Sequence, residues 1–183
     1  MFTRFTNFFA RFASGRNVLI AAGFYLFLSI VFRLLWAKDA NGDAVVMLDT
    51  CFGYSPDYVY TTIGTYGNEG RAKMLFLNRV IDSIYPFAYI TFDMLVIIWL
   101  YSKSTANAAV WQRLCIIPPI TFVTDFIENI PLGFAIANYP NKISDGLLQI
   151  SSIGNQLKWL SSLAFIVVAV VGIIRVVKSR KAA

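Results

Sequence analysis

The chain of 183 residues contains no histidine. That absence disfavours most zinc and haem sites, and with them any serine–histidine or cysteine–histidine catalysis. Cysteine is almost as scarce: Cys51 and Cys115 are the only two. With the topology read below they fall on opposite sides of a membrane, which rules against a bridge within one chain. Charge is also sparse, since Asp, Glu, Lys and Arg make up 14% of the residues, against roughly 25% in a soluble domain. No internal repeat and no Gly/Ser/Pro-rich linker divides the chain, so residues 1–183 read as one domain.

What the sequence does have is apolar length. Hydrophobic residues make up 57% of it, and the mean hydropathy is +0.62. Runs at 18–36, about 73–101, about 111–137 and about 147–177 each reach the roughly 20 residues needed to cross a bilayer. The fold class expected is all-α: a polytopic membrane four-helix bundle with an interfacial N-terminal helix and a short external helix. The last three runs exceed the minimum, which calls for tilt, kinks or extensions into water. Pro86, Pro118, Pro119 and Pro131 are the candidate kinks.

Basic residues set the expected orientation. Arg4, Arg11 and Arg16 precede the first run, Lys103 and Arg113 join the second to the third, and Arg175, Lys178, Arg180 and Lys181 end the chain. Asp39, Asp43, Asp49, Asp57, Glu69 and Asp145 fall on the other side. The positive-inside rule then places both termini in the cytoplasm of a bacterial inner or plasma membrane, or in the matrix if the membrane is mitochondrial. The net charge of +6 follows from that topology and from anionic headgroups. Nucleic acid is not needed to explain it.

At the N-terminus, MFTRFTNFFARFASGRN spaces Phe2, Phe5, Phe9 and Phe12 helically among arginines. The pattern fits an amphipathic helix in the membrane interface, and an Arg-rich, acid-free start also resembles a mitochondrial presequence. The first external connection, Ala37 to about Ala72, contains SPDYVYTTIGTYGNEGR. Ser55 is placed to cap a helix that carries Pro56 and Asp57 in its first turn and ends near Tyr66. Gly67 and Gly70 are expected to bracket a turn before the second span. That helix reads either as an anchor over the bundle mouth or as a gating lid.

Polar residues inside the apolar runs carry the functional question. Asp82, Tyr85, Pro86, Tyr89 and Asp93 share one stripe of the second helix. Pro118, Thr121, Asp125, Glu128 and Asn129 do so on the third, and Ser151, Asn155, Lys158 and Ser162 on the fourth. A charge facing lipid costs about 2.5–3.5 kcal/mol even on the lenient insertion scale. The stripes must therefore converge on one another. From them come the candidate ligand-binding residues Asp82, Tyr89, Asp125, Glu128, Asn129, Asn155 and Lys158. No cofactor and no metal is expected, because Lys158 already supplies the positive charge that a hard cation would bring. No residue is assigned a catalytic role.

The run GYSPDYVYTTIGTYGNEGRAKMLFLNRVIDSIYPFAY, with TDFIENIP and LKWLSSL after it, resembles a group of small four-helix membrane proteins, mostly bacterial and of unassigned function. That resemblance implies a fold and no activity. IDSIYPF, with Asp82 a turn before Pro86, is also distantly similar to the EXPERA group. The likeness implies a long first external loop and carboxylates lining a pocket for amphipathic, often cationic, molecules. The isomerases of that group use a histidine, which is missing here.

Three functions fit these residues. The first is a polar cavity, open toward the external side, that binds or processes a small amphipathic or lipid-like molecule. The second is an accessory subunit of a larger membrane complex, its polar cluster serving only to fix helix packing. The third is a proton-coupled carrier acting as a homodimer. The lipid bilayer is the partner common to all three.

Overall fold

The computed structural model describes residues 2–36, 44–104 and 108–181. Asp39 and Asp43 of the first connection lie outside that range, as do the side chains of Phe2, Arg180 and Lys181. Every regular element among the described residues is helical. Four stretches are long and apolar enough to cross a membrane: Gly15–Leu34, Gly67–Ser104, Trp111–Asn138 and Asp145–Ser179. Each contains, or comes within two residues of containing, the corresponding run expected from hydropathy.

Helix α1 (Phe2–Ala10) turns Thr6, Phe9 and Ala10 toward the protein and leaves Phe5, Phe8 and Phe12 beside it largely exposed. Ser14 then caps α2 (Gly15–Leu34) by accepting from Asn17 N at 3.2 Å. No residue of α2 is buried. It is held to the helix of Asp82–Ser104 by a Tyr25–Phe92 stack with centroids 5.8 Å apart and by Ser29 Oγ meeting Tyr85 Oη at 3.1 Å.

Residues 44–55 cross the loop end of the bundle. Val45, Met47 and Leu48 are buried there, and the segment is tied down by Trp36 Nε1 donating to Val45 O and Tyr66 Oη to Val46 O. Ser55 caps α3 (Pro56–Thr65), accepting from Tyr58 N at 3.2 Å with Pro56 in the first turn. The turn expected at Gly67 and Gly70 is not formed. Helix α4 (Gly67–Phe76) starts at once, with Tyr66 ending one helix and beginning the next. Gly67 makes this abrupt change of direction at φ 63°, a left-handed conformation that side chains resist. Gly70 is simply buried inside α4.

A π-helical turn, Leu77–Ile81, leads from α4 into α5 (Asp82–Ser104), so the second apolar stretch runs unbroken over 38 residues. Pro86 and Pro131 sit inside helices as the sequence suggests. Pro118 and Pro119 instead lie in the first turn of α7 (Ile117–Asn138), where a helix start leaves N–H groups unpaired in any case, and they make no kink. The short α6 (Ala108–Leu114) precedes it.

Helix α7 and α8 (Asp145–Lys181) approach most closely, and the sequence shows why. A Cβ at Gly154 would lie 3.0 Å from both Glu128 N and Thr124 O, so only glycine lets the two backbones come together there. Helix α5 packs against both. The core has two parts. Ile63, Tyr66, Leu77, Ala135 and Leu148 fill the loop end, while Met94, Ile97, Ile98, Tyr101 and Cys115 fill the end nearer the chain termini. Cys51 and Cys115 are both free thiols.

Candidate functional site: a lysine–carboxylate cluster beside a cavity

The i, i+3, i+4 spacing on α7 turns Asp125, Glu128 and Asn129 to one side, and i, i+3 on α8 turns Asn155 and Lys158 to meet them. All five are buried; Glu128 and Asn155 are 0% exposed. Lys158 Nζ lies 2.5 Å from Glu128 Oε2 and 3.4 Å from Asp125 Oδ1, and it also pairs with Asp49 from the 44–55 segment. The remaining acceptors are served by neutral donors. Asn155 Nδ2 donates to Glu128 Oε1 at 2.8 Å, Asn129 Nδ2 to Asp125 Oδ1 at 3.2 Å, and Tyr89 Oη to Asp125 Oδ2 at 3.2 Å. Desolvated charges need such saturation, because each is expensive to leave bare.

The same residues fasten the loop segment. Gly53 N donates to Asn155 Oδ1 at 2.7 Å, Tyr54 N to Ser152 Oγ at 2.8 Å, and Trp159 Nε1 to Asp49 O at 3.2 Å. Ser151 Oγ gives its proton to Glu128 O at 2.6 Å, so Tyr54 Oη donates to Ser151 at 2.8 Å, with Glu128 Oε1 a longer 3.4 Å neighbour. Burial, and then the Glu128 carboxylate, hold the Tyr54 hydroxyl above its usual pKa, so it stays a donor at any physiological pH.

Asp49, Asp125 and Glu128 bring carboxylate oxygens within 4.8 Å of one another, a spacing that suits a hard cation. The Lys158 ammonium lies in contact with all of them, so a metal would first have to displace a covalently tethered charge.

Beside the cluster is a cavity of about 400 Å³. Helix α2 contributes Tyr25, Ser29 and Phe32 to its wall, α5 contributes Asp82, Tyr85, Tyr89, Phe92 and Asp93, and α8 contributes Lys158, Trp159, Ser162 and Phe165. Asp49 and Asp125 complete the polar side. The structure therefore separates the residues singled out from sequence. Asp82, Tyr89, Asp125 and Lys158 line the cavity, whereas Glu128 and Asn155 lie behind it and support Lys158. Asn129 instead lines a second hollow, of about 290 Å³, between the π-turn and α7.

Among the acidic residues of the cavity wall, sequence reasoning missed Asp49 and Asp93 as site residues. Asp93 stands on the α5 stripe one turn beyond Tyr89, so its position was legible and its exposure to the cavity was not. Asp49 sits in an aperiodic loop with no signal at all. Asp82 and Asp93 have no hydrogen-bond or ion-pair partner among the described residues.

No protein-family model matches the chain, and neither curated proteins nor solved structures give a match.

Proposed function

We propose that the chain is a multi-pass membrane protein whose interior cavity binds, or acts on, a small amphipathic or lipid-like molecule. The observation that carries this reading is the composition of the cavity wall. Rings of Tyr25, Phe32, Tyr85, Phe92, Trp159 and Phe165 provide apolar surface, while Asp82 and Asp93 line the same space with no hydrogen-bond or ion-pair partner among the described residues. A volume of about 400 Å³ falls within the roughly 300–1,000 Å³ typical of small-molecule sites. In this reading both termini are cytoplasmic, the exposed phenylalanines of α1 rest in the interface, and the polar part of the ligand meets the partnerless carboxylates.

The cluster around Lys158 has a different character. Neutral donors serve Glu128 Oε1 and both Asp125 oxygens, and its lysine is shared among three carboxylates, which is what helix cohesion requires. We assign it the structural work that the accessory-subunit reading gave to every buried polar residue. The cavity is what that reading leaves unexplained.

Native mass spectrometry of the protein released from membranes tests the proposal. A retained adduct of defined mass is expected, lost on Ser162→Trp, which fills the cavity from α8 while leaving the Lys158 cluster intact. If no adduct is present, no added amphiphile raises the melting temperature, and Ser162→Trp is more stable than wild type, the cavity is a packing void and the proposal fails.

A further inference from the structure

The second hollow shares Asp82 with the cavity and is otherwise lined by different residues. Its polar end is lined by Asn78, Arg79, Asp82 and Ser83, its apolar end by Phe126, Ile130 and Phe134. Phe126 and Ile130 also border a third hollow, of about 370 Å³, which continues along the outer face of α7 past Phe122, Val123 and Ile127. A head site thus adjoins an apolar trough through shared residues.

The charges at the head are unusual. Arg79 lies in the π-turn and Asp82 opens α5, and both line this hollow. Yet they form no ion pair with each other, and neither has a side-chain partner among the described residues. Asn78 does not compete for Arg79's ligand, because its Nδ2 already donates to Asn129 O at 3.1 Å. Ser83 Oγ likewise donates to Arg79 O at 2.7 Å. The free charges at this hollow are therefore one cation and one anion.

Their depth agrees with this. From Ile84 to Tyr101 the chain is apolar apart from Asp93, Thr91 and the tyrosines, so Arg79 and Asp82 mark the loop-side edge of the stretch suited to hydrocarbon. Helix α7 runs antiparallel to α5, which carries the trough from Ile130 through Phe126 to Phe122, away from that edge and toward the middle of the bundle.

We propose that this groove binds one zwitterionic phospholipid, its phosphate on Arg79, its ammonium on Asp82 and an acyl chain in the α7 trough. A bidentate guanidinium suits a phosphate, and opposite charges lining one hollow match a headgroup in which phosphate and ammonium are joined by two carbons. A purely anionic headgroup satisfies Arg79 and leaves Asp82 facing a like charge. A hard metal ion is poorly served, because it needs six or more oxygens and the groove offers one carboxylate next to an arginine.

The test uses the full chain in detergent, with dihexanoyl phosphatidylcholine and dihexanoyl phosphatidylglycerol as probes and thermal shift plus native mass spectrometry as readouts. Wild type is expected to bind the zwitterionic lipid at least tenfold more tightly. Arg79→Gln should weaken both lipids. Asp82→Asn should abolish the preference by raising affinity for the glycerol headgroup, a gain that an unfolded variant could not show. Equal binding of the two lipids to wild type means annular lipid only and overturns the proposal, as does a preference that survives both substitutions. Ser162→Trp should leave the preference untouched. Should it remove the preference, the lipid occupies the central cavity, and the groove assignment falls while the cavity reading stands.

Discussion

Lys158 Nζ lies 2.5 Å from Glu128 Oε2 and 3.4 Å from Asp125 Oδ1, so a single ammonium on α8 holds two carboxylates of α7 as well as Asp49 of the loop segment. Removing it leaves several buried acids without a counter-charge. Lys158→Met is expected to cost about 3–5 kcal/mol and Glu128→Gln less, since glutamine still accepts from Asn155. The double variant should recover much of the loss, read as coupling in a thermal-denaturation cycle in detergent. Strict additivity of the two losses would show that the pair contributes no coupling.

Gly154 is expected to tolerate nothing larger. Its missing Cβ is what allows Glu128 N and Thr124 O to stand 3.0 Å from where that atom would be. Neither neighbour is a flexible side chain that could move aside. Gly154→Ala should destabilise by about 1–3 kcal/mol, the usual range for overpacking, and Gly154→Val by more. An unchanged melting temperature for Gly154→Ala would mean that the two helices are not so closely apposed.

Orientation can be read from thiols. Cys51 is half-buried and Cys115 buried, so in intact cells a membrane-impermeant reagent should label the chain weakly at Cys51. Ser104→Cys, at the end of α5, should react only after the membrane is opened. Labelling of Ser104→Cys from outside would invert the proposed topology.

The exposed rings of α1 give a separate expectation. Phe8 and Phe12 stack edge-on at 5.3 Å and are 55% and 49% exposed, facing away from the protein. Phe8→Glu with Phe12→Glu should loosen α1 from the interface, seen as faster proteolysis before Ser14, while the spanning helices remain membrane-embedded. Loss of the whole chain from the membrane fraction would show that α1 does more than anchor itself.

Much of this was legible in the residues. Hydropathy located the long helices, Ser55 and Pro56 announced α3, and helical periodicity brought Asp125, Glu128, Asn155 and Lys158 to facing sides. What stayed hidden depended on contacts across the chain. Asp49 reaches Lys158 from a loop held by Asn155 and Trp159, and no local pattern encodes a reach across 109 positions. Gly67 and Gly70 look alike as turn signals, yet one takes a left-handed conformation and the other is buried in a helix. Asn129 shares a face with Asp125 and still opens onto a different hollow, because the π-turn brings Asn78 against it.

The absence of any buried residue in α2 bears on how the protein is made. Its 20 residues are long and apolar enough to cross a membrane, whereas α7 and α8 are held together by backbone proximity and shared charge. In the proposed membrane topology, insertion and docking are expected to be distinct stages for α2, with α2 the last of the long helices to acquire its neighbours. Cysteine pairs placed across α7 and α8 should accordingly crosslink sooner after synthesis than pairs across α2 and α5, and the reverse order would refute this sequence of events. Until α2 docks, the cavity lacks the wall formed by Tyr25, Ser29 and Phe32, and a bilayer-dissolved molecule can be enclosed during biogenesis without any gate having to open.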